Sequence, residues 1–150
     1  MAHTLSDLLV HAVFSTAERR PALGKSIQAR LFGYMAGIVR ARGGVAHIVG
    51  GAEDHVHLLL TVPASSSVAD MLRFVKGNSS RWLNRQFPRT GKFAWQRGYA
   101  AFSVSRSRYR DVYSYIAGQE VHHRRISFQQ ELVAFLKKHQ IEYDERYIWS

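Results

Sequence analysis

The stretch Asp54-His55-Val56-His57-Leu58-Leu59-Leu60 decides how this chain is read. Its apolar residues and their alternation predict a strand. Successive side chains of a strand point to opposite faces, so His55 and His57 share one face and Val56 takes the other. Two adjacent imidazoles supply half of a metal site, or a phosphate-handling pair. Taken alone, they also fit a strand that carries two solvent-facing histidines. The surrounding sequence separates these readings.

Immediately upstream, residues 45–49 read as another strand, and Gly50-Gly51-Ala52-Glu53-Asp54 turns it into the histidine strand, so the two form a hairpin. Pro63 closes the hairpin. Further upstream, residues 8–14 read as a buried first strand, followed by a loop through Arg19, Arg20 and Pro21 to Gly24. A helix is expected over about residues 25–42, with Ile27, Leu31, Tyr34, Met35 and Ile38 on its apolar stripe and Gly43-Gly44 ending it. Downstream, Ser67 with Asp70 is a helix-start pattern. That helix should run to about Phe87, stop at Pro88 and bury Met71, Leu72, Val75, Trp82 and Leu83. Its small, polar middle, residues 76–81, lets another backbone come close, either DNA or a partner helix.

Residues 93–95 and 99–104 look strand-like around a turn at Gly98. A long helix then starts near Ser107 and passes through Tyr115 and Gln119. Ser127 and Gln130 resemble a capping box opening a short helix that carries Leu132, Phe135 and Leu136. The aromatic tail, residues 143–149, should pack back on the body. The order strand, helix, strand, strand, helix, strand is the split βαβ, ferredoxin-like pattern of an α+β fold. It predicts an antiparallel sheet with helices on one face and an open second face, plus the tyrosine-bearing helix and the short final helix. The first and third strands are central in this topology, which puts the two imidazoles mid-sheet. With no repeat, linker or low-complexity segment, residues 1–150 read as a single domain.

The chain has no cysteine, which excludes disulfides and thiolate metal sites. No signal peptide or membrane-spanning apolar run is visible, so a prokaryotic cytoplasmic location without a membrane partner is expected. Lys and Arg number 21 against 11 Asp and Glu, a formal net charge of +10. Such a balance points to a polyanion, most commonly nucleic acid. Arg19, Arg20, Arg73, Lys76, Arg81 and Arg85 are the candidate phosphate contacts. His47 reads as a packed or surface histidine.

Two histidines do not saturate a divalent ion. Tyr115 and Gln119 are four apart, hence on one helix face. The apolar stripe of that helix is expected to be Tyr109, Val112, Tyr113 and Ile116. Tyr113 then belongs to the core, while Tyr115, rotated off the stripe by roughly 100°, is available for chemistry. The amide oxygen of Gln119 suits Mg²⁺ or Mn²⁺ better than zinc. His122 and His123 follow closely enough to approach an ion, although a solvated or phosphate-facing role fits them better. Glu53 and Asp54 are turn residues able to tune the site. Gly118 inside a helix costs about 1 kcal/mol against alanine.

These residues resemble the HUH-type single-tyrosine transposases of small insertion sequences. The His-hydrophobic-His triplet is His55-Val56-His57, and the family's tyrosine, three residues, then glutamine runs from Tyr115 to Gln119. The likeness extends to Phe14-Ser15-Thr16 with Arg19-Arg20-Pro21, to Lys76-Gly77 with Ser79 to Leu83, to Trp95-Gln96 with Gly98-Tyr99, and to Phe102-Ser103-Val104-Ser105. It implies an enzyme that cleaves and rejoins single-stranded DNA at insertion-sequence ends. Tyr115 would form a 5′-phosphotyrosine, and His55, His57 and Gln119 would hold Mg²⁺ or Mn²⁺. It also implies hairpin DNA ends and a homodimer with shared active sites. Two alternatives remain beside it. One is a domesticated repeat-associated tyrosine transposase acting on palindromic chromosomal repeats, and the other is a non-catalytic nucleic-acid-binding module of the same fold. A histidine-triad nucleotide hydrolase would need a third alternate histidine, where this chain has Leu59.

Overall fold

The computed structural model describes residues 3–88, 92–119 and 126–149. In chain order its elements are β1 (Leu9–Ser15), α1 (Lys25–Ala41), β2 (Val45–Gly51), β3 (His55–Thr61), α2 (Val68–Gln86), β4 (Ala100–Val104), α3 (Tyr109–Ala117) and α4 (Phe128–Lys138). The strands form one antiparallel sheet in the order β2-β3-β1-β4. The ferredoxin-like expectation therefore holds, with β1 and β3 in the centre. Their register sets Val13 opposite His57 and Ser15 opposite His55.

Alternation sorts these two strands into two faces. Val10, Ala12 and Phe14 of β1 join Val56, Leu58 and Leu60 of β3 on one side, packed with Ile27, Leu31, Met35 and Val39 of α1 and Met71, Leu72, Val75 and Leu83 of α2. The other side carries His11, His55 and His57 among Leu9, Val13 and Leu59. This second face is not open, contrary to expectation. Ile116 of α3 packs on Leu9 and Leu59, and Phe128, Leu132 and Leu136 of α4 pack with Val13 and Phe102. Both late helices carry apolar stripes, and this half-apolar sheet face is what they bury. All three histidines are consequently buried. The tail packs back here too, through Tyr143, Ile148 and Trp149.

The side chain that faces outward on α3 is not the one expected. Tyr113 is 39% exposed, while Tyr109, Val112, Tyr115 and Ile116 turn inward. Three of the four predicted stripe positions are right, but the stripe is centred nearer Val112, and Tyr113 lies roughly 100° beyond it. The helix is also shorter than predicted. It is preceded by a 3-10 turn at Arg106–Arg108 and ends at Ala117, with Gly118 as its C-cap.

Residues 93–95 do not form a strand. Trp95 makes a single bridge to Thr16, and the segment is held by side chains instead. The Trp95 indole N–H donates to Ser79 Oγ, Asn84 exchanges hydrogen bonds with the Phe93 backbone, and Gln96 Oε1 accepts from Ser15 N. Lys76 Nζ donates to the carbonyls of Gln96, Arg97 and Gly98 at 2.7–3.0 Å. The small, polar middle of α2 thus receives the chain's own segment 93–98. The helix starts agree with expectation: Ser67 Oγ accepts from Asp70 N, and Ser127 with Gln130 forms a full capping box. Among the described residues no helix is long and apolar enough to cross a membrane.

Gly50 sits directly under α3. A Cβ there would lie 2.7 Å from the Ile116 carbonyl oxygen and 2.9 Å from its Cγ2. Gly50→Val should therefore lift α3 off the sheet and lower unfolding free energy by about 1–3 kcal/mol in urea titration. Gly37→Ala on α1 is the control. Its Cβ meets only the Arg40 guanidinium at 3.9 Å, so it should stabilise by about 0.5–1 kcal/mol. Equal effects of the two would show that α3 does not depend on that close approach.

Candidate active site

His55 and His57 are wholly buried on β3, and α3 and α4 bring polar groups down onto them. His55 Nδ1 donates to Asp54 Oδ1 at 2.7 Å, which leaves its Nε2 facing the cluster. That Nε2 lies 3.3 Å from Gln119 Oε1 and 3.9 Å from Glu131 Oε1. His57 Nε2 lies 2.8 Å from the same Glu131 oxygen, and His57 Nδ1 lies 2.8 Å from His11 Nε2. The hydroxyl of Tyr115 donates to the other oxygen, Glu131 Oε2. The Tyr115 and His57 rings meet edge to face with centroids 5.8 Å apart.

The structure brings His55, His57, Tyr115 and Gln119 together, as the sequence predicted. Gln119 lies just past the end of α3, and its Nε2 donates to the Tyr115 carbonyl at 3.3 Å, so it keeps the tyrosine's face. Asp54 is more than a turn residue, because it orients His55. Glu131 is the addition that sequence reading missed. A signal was present: Glu131 occupies an apolar-stripe position of α4, three residues after Phe128 and next to Leu132, where a carboxylate has no business unless it is paired. It is only 2% exposed. His122 and His123 lie outside the described residues.

Donor atoms of His55, His57 and Glu131 all fall within 4.8 Å of one another. Two imidazole nitrogens and a carboxylate, with the Gln119 amide oxygen alongside, form a nitrogen–oxygen set without sulfur. Such a set fits a hard or borderline divalent cation such as Mn²⁺ or Mg²⁺. Burial tunes the neighbours. Burial, then the adjacent His57, pushes the His11 imidazole down to about 3 and keeps it neutral. Burial, then the hydrogen bond to Glu131 and its charge, pushes the Tyr115 phenol above the ordinary tyrosine range, with Gln119 opposing.

The basic candidates sit elsewhere. Arg19 and Arg20 lie in the loop after β1, beside the Asp54 end of β3, where Thr16 N donates to the Asp54 carbonyl. Arg19 is over the Trp149 ring, and Arg20 pairs with exposed Glu18. Arg73, Arg81 and Arg85 are exposed on α2, in the helical layer on the far side of the sheet from the histidines. Lys76 is committed to its three carbonyls, and its half-buried amine is pushed down to about 8 by desolvation. His47, bonded to Thr61 and Tyr109, is a packed histidine.

Known proteins resemble this chain in sequence and in fold. The chain is 27% identical over 113 residues to the transposase for insertion sequence element IS200 of Salmonella typhimurium, covering 71% of this chain and 74% of that one, and to its Salmonella typhi counterpart at the same values. Two solved structures share the fold. One is a Deinococcus radiodurans protein assigned as a transposase, with TM-score 0.64, 23% identity, and 79% and 95% of the two chains covered. The other is a REP-associated tyrosine transposase bound to a REP hairpin, with TM-score 0.61, 16% identity, and 82% and 72% covered. The sequence model of the family described as "Transposase IS200 like" matches residues 4–119, from ahead of β1 through Gln119, and the chain belongs to that family of transposases.

Proposed function

We propose that this transposase cleaves and rejoins single-stranded DNA through a covalent bond to Tyr115. The observation that carries the reading is convergence. The Tyr115 hydroxyl and His57 Nε2 meet on one carboxylate, with His55 Nε2 and Gln119 alongside. A nucleophile and a phosphate-binding centre must converge in this way for in-line attack. In the proposed step, Tyr115 Oη attacks phosphorus and the bond from phosphorus to O3′ breaks. A 5′-phosphotyrosine forms and O3′ departs, leaving as a hydroxyl with a proton taken from water. Glu131 Oε2 stands where it can take the phenol proton. Attack of a 3′-hydroxyl on the phosphotyrosine reverses the sequence, so the covalent bond conserves the energy for rejoining and no nucleotide cofactor is needed.

His55, His57, Glu131 and Gln119 are the residues that would hold Mg²⁺ or Mn²⁺, and the chemistry such an ion supplies when bound is polarisation and orientation of the scissile phosphate. Asp54 fixes His55 with Nε2 toward the cluster, and the apolar side chains Phe128 and Phe135 exclude water around it. The substrate we propose is an insertion-sequence end folded as a hairpin. The fold shared with a hairpin-bound relative supports structured DNA, and keeps a domesticated enzyme acting on palindromic repeats as the second reading. Arg19 and Arg20 would hold DNA near the site, with Arg73, Arg81 and Arg85 as remote phosphate contacts. The outer edge of β4, opposite its pairing with β1, suits a homodimer. Each chain would use its own tyrosine, since Tyr115 already meets the histidines of its own chain.

Tyr115→Phe should give no covalent protein–DNA adduct in denaturing gels while binding DNA and melting near wild type. Tyr113→Phe should still form the adduct. DNA mapped to Tyr113 would overturn the assignment. His57→Ala should abolish cleavage and retain DNA binding, and full cleavage at saturating Mn²⁺ would remove His57 from the metal centre. A mixture of Tyr115→Phe and His57→Ala chains should recover no cleavage, whereas recovery would show tyrosines exchanged between chains.

DNA affinity should fall linearly in log–log form with salt, with a slope of about −0.7 per phosphate neutralised on single strands. Anisotropy between 50 and 200 mM salt tests this, and a flat profile would sink the electrostatic assignment of the arginines.

A further inference from the structure

His11 is a buried imidazole in the middle of β1 that the proposed chemistry does not use. It lies 2% exposed beneath Phe135, whose ring meets it edge to face at 5.2 Å. Its Nε2 is 2.8 Å from His57 Nδ1, and the two rings stack with centroids 5.1 Å apart. A buried polar side chain with one well-made hydrogen bond to a site residue acts through that bond or is a costly ornament.

The two site histidines face the same requirement. Each must present an Nε2 lone pair to a cation, so each must carry its proton on Nδ1 and needs an acceptor there. For His55 that acceptor is the Asp54 carboxylate, at 2.7 Å. For His57 the group at the corresponding distance is a neutral imidazole, His11. If the His57 proton sits on Nε2 instead, it points at Glu131 and no lone pair is left for an ion. If it sits on Nδ1, it is donated to His11 Nε2 and the lone pair is available. His11 must then be the tautomer protonated on Nδ1.

Resting on the metal centre proposed above, we propose that His11 is a positioning residue: it accepts the His57 Nδ1–H and thereby turns the His57 Nε2 lone pair toward the cation. The use of an imidazole in place of a second aspartate has a physical reason. His11 lies under α4, buried against the Phe102 and Phe135 rings, where a carboxylate would be costly. Glu131 already brings one negative charge to His57.

Two measurements on the full chain test this. In the Mg²⁺-loaded wild type, ¹⁵N-edited imidazole spectra should show His57 protonated on Nδ1 and His11 Nε2 bare. The reverse pattern would overturn the proposal. Mn²⁺ titration calorimetry then compares variants whose fold is checked by circular dichroism and melting. His11→Leu removes the acceptor and should weaken Mn²⁺ binding by roughly 10- to 100-fold, the range typical of such outer partners. His11→Gln places an amide oxygen near the position of Nε2 and should stay within a few-fold of wild type. Equal Mn²⁺ affinity in wild type, Leu and Gln variants would overturn the role of His11 and leave the metal centre standing. Equal losses in the Leu and Gln variants would reduce His11 to a packing residue. A wild type that binds no Mn²⁺ would overturn the metal centre, and His11's role with it.

Discussion

The rest of this site depends on one buried carboxylate. Glu131 is an acidic side chain, nearly inaccessible and set on the apolar stripe of α4. Burying an unpaired carboxylate costs several kcal/mol, so both of its oxygens must find partners. Oε1 meets His57 and Oε2 takes the Tyr115 hydroxyl, which ties α4, β3 and α3 to one point. Phe128 stacks on His55 and Phe135 lies edge-on to both His11 and Tyr115, so the cluster stays dry. The same dryness that strengthens these contacts also holds Tyr115 as a phenol. In the proposed mechanism its hydroxyl would become a nucleophile once its proton passes to Glu131 or positive charge offsets that carboxylate.

The sheet makes this convergence possible by simple alternation. β1 and β3 are central, so each contributes one wholly apolar row to the α1–α2 layer and one mixed row to the other side. The mixed rows place three histidines within a few ångströms without breaking the apolar pattern that folds the domain. Gly50 completes the device: the absence of a side chain on β2 lets the backbone of α3 rest on the sheet, and Tyr115 and Gln119 come down with it. Asp54, in the turn before β3, fixes the outer histidine by a contact between adjacent residues.

Local pattern made most of the fold legible. Strand alternation, the two serine caps and the proline stops each act within a few residues, and the structure follows them. That His55 shares a face with His57, and Tyr115 with Gln119, could be read because each pair sits at a strand or helix spacing. What failed was long-range. Nothing near His55 says that two late helices will cover its face. Centring the α3 stripe on Val112, and not toward Tyr113, follows from docking against Leu9, Leu59 and Gly50. The polar middle of α2 signalled a close backbone approach, but which backbone was decided by Trp95, Asn84 and Lys76 acting together. Glu131 is 74 residues from His57, and only its place on an apolar stripe hints that it is paired.

In the proposed function, the distribution of charge separates holding DNA from reacting with it. The chain carries a net charge of +10, yet among the described residues the charged side chains that pair directly with the site histidines are two carboxylates, Asp54 and Glu131. The candidate arginines lie in the loop after β1, where Arg19 is half-buried and Arg20 exposed, and on the exposed far layer along α2. Contacts of that kind fix register and supply affinity without touching the reacting atoms. A phosphodiester reaching Tyr115 would bring its negative charge beside the buried Glu131 carboxylate, where repulsion is strong. Lys138, which lines the same pocket as Tyr115 and Glu131, brings one positive side chain to it, and the cation proposed for the imidazole and amide donors beside Glu131 would bring more. In the proposed function the basic surface would serve for capture and steering.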